Sequence, residues 1–198
     1  TDRQIRQGRR EPPHPPGRRR LRGAREIALP QIGRSRRRIS RAERHHLPLA
    51  VIMLDLDGGD TGAGVGLKMV NDTFGHQAGD ELLRDVAACL ANTIRRADTI
   101  ARYGGDEFVI LAPQTGRDDA LALANRVRWQ LGRGAFRVAG QVVRLTASVG
   151  VGVFQPGTND TAQAVVSRAD RGLYLAKEHG GDGVRLVETA ASLSSPEQ

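Results

Sequence analysis

Ala101-Arg102-Tyr103-Gly104-Gly105-Asp106-Glu107-Phe108-Val109-Ile110-Leu111 reads as a β-hairpin with chemistry at its tip. Strand-forming residues flank a Gly-Gly pair, and such a pair lets a two-residue turn reach positive φ without steric cost. Two carboxylates, Asp106 and Glu107, follow the turn at once. Side chains alternate faces along a strand, so one acid can meet a ligand while its neighbour supports it from another direction. Adjacent acids at a tight turn, with glycines leaving room for a bulky anion, suit a divalent cation and a triphosphate. A solvated hairpin tip is the plain alternative, and Gly-Gly-acid alone does not separate the two.

Working outward, 49–54 is an unbroken apolar run that ends in Asp55-Leu56-Asp57. That pattern predicts a central strand covered on both faces. Asp55 and Asp57, two apart, point the same way; acids ending a buried strand are costly unless paired or metal-bound. A salt bridge or a helix cap would also satisfy them. Asn and Asp side chains in general can read a purine edge, the amide offering donor and acceptor and the carboxylate accepting from ring N–H and amine; Asn71 and Asp80 are residues of these types. Asp80 also suits the N-cap of a helix running to about Arg95, whose stripe is Leu82, Leu83, Val86, Ala87 and Leu90. Cys89 in that helix is expected to pack.

Beyond the hairpin, 117–131 reads as a helix with Asp118 and Asp119 in its first turn, Leu123, Val127 and Leu131 inward, and Trp129 packed. Strands are expected at 136–138, 141–145 and 146–154, with Ala139-Gly140 a hairpin turn. Asp160 is expected to cap a last helix lined by Val165, Ala169, Leu173 and Ala176, which Gly180-Gly181 stops before a final strand at 184–187. This order of elements predicts an α/β sandwich on a mostly antiparallel sheet.

Charge divides the chain unevenly. The total is +8, but residues 1–46 hold 15 Arg, no Lys and 4 acids (+11), leaving 15 basic and 18 acidic residues (−3) for the remainder. Residues 1–33 are rich in Arg, Pro and Gly and short of apolar surface, which predicts a disordered arm. Nucleic-acid binding would rest on that arm alone and is not expected of the domain at 34–188. A basic helix is expected at 34–47 and a loose tail at 189–198. Cys89 is the single cysteine, so no intrachain disulfide is possible. No apolar run approaches the roughly 20 residues that span a bilayer, so a cytoplasmic protein without a membrane span is expected.

Gly104-Gly105-Asp106-Glu107-Phe108 resembles the signature of the GGDEF family, the diguanylate cyclases. Leu54-Asp55-Leu56-Asp57, Asn71-Asp72-Thr73-Phe74-Gly75-His76, Gly79-Asp80 and Ala176-Lys177 are similar to the family's other blocks and stand in the same order. The resemblance implies a palm-like fold with a five-stranded, mostly antiparallel sheet flanked by helices. It implies condensation of two GTP into cyclic di-GMP with release of two pyrophosphates, by a homodimer carrying one GTP per domain. By the same resemblance, Asp55, the Leu56 carbonyl, Asp106 and Glu107 would hold Mg²⁺ (or Mn²⁺), and Asp106 and Glu107 would be catalytic. Asn71, His76, Asp80, Gly104, Gly105 and Lys177 would bind substrate. Arg95 and Asp98 match the family's Arg-x-x-Asp inhibitory site, where cyclic di-GMP would act as an inhibitor; a helix-terminal Arg is the plain reading of Arg95.

Three departures stand out. The entry to the domain lacks the family's usual block, a Gly-rich insertion occupies 58–66, and Gly180-Gly181-Asp182 replaces the family's Gly-Arg-Asn. The lost Arg removes one charge-assisted phosphate contact, worth about 1.5–3 kcal/mol. The alternative reading is therefore a degenerate member that binds GTP or cyclic di-GMP and regulates without turnover.

Overall fold

The computed structural model describes residues 44, 46–58, 65–158 and 160–189. The expectations for the arm at 1–33, nearly all of the basic helix at 34–47, most of the 58–66 insertion and all but the first residue of the tail at 189–198 lie outside the described residues.

The apolar run forms β1 (Leu49–Leu56), every residue of it buried. It pairs antiparallel with β3 (Glu107–Pro113) on one side and β6 (Ala147–Phe154) on the other. β2 (Thr99–Arg102) extends the sheet beyond β3, and β7 (Val184–Leu186) runs parallel to β6, giving the order β2-β3-β1-β6-β7. Four of the five strands thus pair antiparallel, as expected. A separate two-stranded ribbon, β4 (Phe136–Val138) and β5 (Gln141–Val143), turns through Ala139 and Gly140 with φ of 48° and 82°. Those paired positive φ values are the chemistry of a primed hairpin turn.

Helices α1 (Leu67–Phe74), α2 (His76–Thr93) and α3 (Arg117–Arg133) and the helix α4 (Ala162–Glu178) cover opposite faces of the sheet. The two-residue period of β1 distributes it between them. Ala50, Ile52, Leu54 and Leu56 join a core with Leu82, Val86, Leu90, Val127 and Leu131; Leu49, Val51 and Met53 join one with Val165, Ala169 and Leu173. Asp55 and Asp57 continue the second set, so the strand carries both acids toward the α4 side.

α4 lies unusually close to the sheet. A Cβ built at Gly150 or Gly152 would run into backbone of Ala169, Leu173 or Val165, and one at Gly172 would meet the carbonyl of Arg185 and the Cα of Gly150. Small residues on both partners let helix and strand backbones touch.

Several local expectations need correction. Asp80 is the fifth residue of α2, not its cap; the N-cap is Gly75, at φ 85°. The same helix ends at Thr93, with Ile94 as its C-cap. Thr161, not Asp160, caps α4, its side chain accepting from the N–H of Ala164 at 3.2 Å. Asp160 instead holds Arg168 through two contacts of 2.7 Å. Trp129 is 49% exposed, with the Arg133 guanidinium 4.5 Å above its ring. Among the described residues, no helix is long and apolar enough to cross a membrane.

Candidate active site

The hairpin tip and the end of β1 are neighbours by register: Asp55 stands opposite Glu107, and the N–H of Leu56 donates to the carbonyl of Asp106 at 3.3 Å. The turn differs from the expected one. Gly104 and Gly105 have no positive φ, and the reversal spans residues 103–106, with Tyr103 N–H donating to the Glu107 carbonyl at 2.7 Å. A Cβ at Gly104 would stand 2.5 Å from Glu107 Oε2 and push that carboxylate aside, while nothing lies within 4 Å of one at Gly105. Arg102 braces the loop, its Nε donating to the Gly105 carbonyl at 2.8 Å and to that of Gly104 at 3.3 Å.

Lys177, in the last turn of α4, places Nζ 2.6 Å from Asp55 Oδ2. Asp55 is thus paired with Lys177 and also feels the charges of Asp106 and Glu107. Burial pushes the Asp55 carboxyl up to about 6 from 3.8; Lys177 opposes that rise, and the neighbouring charges of Asp106 and Glu107 add to it. Burial is the main cause of the rise, and the two neighbouring carboxylates add negative charge that the lysine offsets in part, leaving the centre short of positive charge.

That shortage is the basis for asking whether a divalent cation fits. The donors are hard carboxylate oxygens of the kind Mg²⁺ and Mn²⁺ take, and the excess negative charge matches a dication. Among the described residues, no group of three or more His, Cys, Asp or Glu side chains is gathered closely enough to hold a metal ion. An incompletely enclosed set suits an ion whose remaining ligands are phosphate oxygens and water. Asp55, Asp106 and Glu107, with the Leu56 carbonyl beside them, are the residues that would hold it.

Asp57, although two residues from Asp55, is occupied differently. It is 1% exposed, its Oδ1 accepts from Ser148 Oγ at 2.5 Å, and its Oδ2 accepts from the N–H of Asp182 at 2.8 Å. Of the plain alternatives, a salt bridge is found at Asp55, whereas hydrogen bonds from β6 and from the loop after α4 satisfy Asp57. Sequence reading missed this role, because nothing local in the sequence links residues 57 and 182.

Away from the carboxylates, Asp80, Leu83, Arg84 and Ala87 of α2 and Arg102 of β2 line an open cavity of about 360 Å³. Apolar Leu83 and Ala87 offer a surface to a flat ring, and Asp80 with the two arginines offers acceptor and donors. Asn71 lies against Gly79, where any Cβ would collide with its Oδ1, and that buried oxygen has no hydrogen-bond partner. His76 is exposed at the first residue of α2. Arg95 is exposed, and Asp98 is buried with Oδ2 accepting the Arg95 backbone N–H at 2.8 Å, so this carboxylate already closes the α2–β2 turn. Cys89 is half-buried against the core, and burial raises its thiol pKa, which fits packing.

This architecture is shared with known proteins. The family model for "Diguanylate cyclase, GGDEF domain" matches residues 33–183. The response regulator PleD of Caulobacter vibrioides is 40% identical over 139 residues, 69% of this chain and 29% of PleD. Diguanylate cyclase A of Treponema denticola is 36% identical over 138 residues, 70% of this chain and 35% of that one. Among solved structures, the GGDEF domain of YfiN (TpbB) from Pseudomonas aeruginosa superposes with a TM-score of 0.68 at 33% identity, covering 79% of this chain and 92% of that domain. The GGDEF domain of DgcB from Caulobacter crescentus, solved in complex with c-di-GMP, gives 0.67 at 27% identity, covering 77% and 85%. The chain belongs to the GGDEF, or diguanylate cyclase, family. It spans about a third of the length of the curated relatives it matches.

Proposed function

We propose that this chain is a diguanylate cyclase domain that condenses two GTP into cyclic di-GMP and two pyrophosphates. The observation that carries the reading is the pairing of Asp55 with Lys177 at 2.6 Å beside the hairpin acids, with Asp55 raised in pKa by burial and by the charges of Asp106 and Glu107. In each half-reaction, the ribose 3′-oxygen of one GTP bonds to the α-phosphorus of the other. The bond to the β-phosphate bridging oxygen breaks, pyrophosphate leaves, and the hydroxyl proton passes to a base. Glu107 or Asp106 at the hairpin tip is that base, and Lys177 neutralises phosphate charge. A bound Mg²⁺ or Mn²⁺ supplies further neutralisation of the triphosphate. The α2 cavity, with Asp80 at its edge, takes the guanine, helped by Asn71, while His76 supports the same loop. Gly104 and Gly105 keep the hairpin backbone open to phosphate.

One such centre per domain accommodates one GTP, so the second GTP comes from another copy and the active species is a homodimer. Arg95 and Asp98 form the inhibitory site for the product. A second reading has a specific observation behind it: Gly181 stands where the family carries a phosphate-binding Arg. In that reading the domain binds GTP or cyclic di-GMP and signals without turnover. Incubation of purified protein with GTP and Mg²⁺, followed by chromatography for cyclic di-GMP, decides between them. Product formation is expected; nucleotide binding without product would establish the regulator.

A further inference from the structure

We propose that Asp57 and Arg128 are positioning residues that fix the loop after α4 and thereby set Lys177 over the phosphate site. The inference rests on the cyclase reading for what Lys177 touches. Lys177 is the only Lys or Arg between 177 and 183, since the family's Arg is Gly181 here. Where that single ammonium sits therefore matters more in this chain.

Every link from α3 to Lys177 is a bond. From outside, Arg128 Nη1 donates to the Asp182 carbonyl at 3.1 Å and to Asp182 Oδ1 at 2.7 Å. From inside, Asp57 takes the Asp182 N–H at 2.8 Å and is itself held by Ser148 Oγ at 2.5 Å. Gly181, at φ 75°, lies flat on that carboxylate; a Cβ there would stand 3.0 Å from Asp57 Oδ1. The clamped loop then closes the last turn of α4. Gly180 N–H donates to the Lys177 carbonyl and Gly181 N–H to that of Ala176, both at 3.1 Å. Helix ends frray unless their orphan carbonyls find such partners. Releasing the loop frees the turn that aims Lys177 at Asp55.

Asp57 is thereby separated from the cation-holding group. Both its oxygens already accept hydrogen bonds, so what the site requires of it is an acceptor for the Asp182 N–H and not a charge. An Asn can meet that requirement, with its amide turned toward the Ser148 oxygen.

The test is calorimetric binding of 3′-deoxy-GTP with Mg²⁺, which cannot cyclise, alongside KM, kcat and melting temperature. Arg128→Ala is expected to weaken binding about two- to fivefold, the range for a partly exposed ion pair. The change should fall in KM with kcat nearly unmoved, and the exchange Arg128→Asp with Asp182→Arg should recover most of it. Asp57→Ala is expected to weaken binding about tenfold or more, as for a buried donor left unpaired, whereas Asp57→Asn should stay near the parent. Equal losses in Asp57→Asn and Asp57→Ala would make Asp57 a charge-bearing ligand and overturn the inference. So would unchanged binding in Arg128→Ala and Asp57→Ala, or losses that track melting temperature and resist the charge exchange. Failure of the parent protein to bind the analogue would reject the cyclase reading before any substitution is made, and the inference with it.

Discussion

At one end of the central sheet, Arg168 and Asp160 face each other one to one; at the other, Asp55 pairs with Lys177 while the charges of Asp106 and Glu107 also act on it. The contacts have nearly the same length, 2.7 and 2.6 Å. Their electrostatics are opposite. Arg168 forks onto Asp160, donates also to the Val153 carbonyl at 2.9 Å, and holds the Asp160 carboxyl below the ordinary range. Asp55 is held above it. A buried pair whose charges match stabilises the fold, while one with surplus negative charge is maintained against its own preference. Such strain is expected where a ligand supplies what is missing. The comparison separates structural from functional carboxylates more sharply than burial does, since Asp55, Asp57 and Asp160 are all sheltered.

Replacing Asp106 and Glu107 together by Ala should abolish cyclic di-GMP formation, a loss on the order of a hundredfold or more, with the melting temperature little changed. Product persisting in the double variant would remove the hairpin tip from the site. At the opposite end, Arg168→Ala should leave Asp160 buried without its cation and cost about 3 kcal/mol of stability, read by urea denaturation. A loss near zero would show that the matched pair is not what holds that end.

The acid limb of the stability curve sharpens the contrast. Asp160, lowered by Arg168, contributes stability present above the unfolded carboxyl range and lost as pH falls. Asp55 does the reverse: its contribution is complete below pH 3.8 and is lost as pH rises through about 6. Asp55→Asn should therefore stabilise metal-free protein at pH 7, by on the order of 1–2 kcal/mol after solvent screening. It should also flatten the slope between pH 4 and 6. A parent curve without that slope would contradict the raised carboxyl. The smallest expected effect concerns regulation: Arg95→Ala should raise the cyclic di-GMP concentration giving half inhibition severalfold, and unchanged inhibition would reject that site.

What sequence made legible was whatever local pattern specifies. The run at 49–54, the acids ending it, the Ala139-Gly140 turn and the stripe of α4 are written in periods of two and 3.6 or in turn chemistry. Asp55, Asp106, Glu107 and Lys177 came from motif resemblance, and the fold brings them together. The misses share a physical cause. Asp80 and Asp160 have the right side chain for an N-cap, but capping depends on where the first turn begins, and Gly75 and Thr161 begin it. Trp129 looked like core because aromatics usually are, yet its place on α3 faces outward, where Arg133 covers it. The Asp57–Asp182 bond joins residues 125 apart, beyond any local signal. Asp160 and Arg168 stand eight residues apart, and the packing of α4 on β6 makes them partners.

Gly150, Gly152 and Gly172 bring the backbones of α4 and β6 into direct contact. The lysine's anchorage is thus bolted to the strand beside Asp55, and the gap between them behaves as a gauge of fixed width. A bulkier or differently charged guest has to be accommodated by the hairpin jaw and by the side chains themselves. A methyl group added at Gly150, which belongs to neither jaw, would open that gauge and blunt the site from behind.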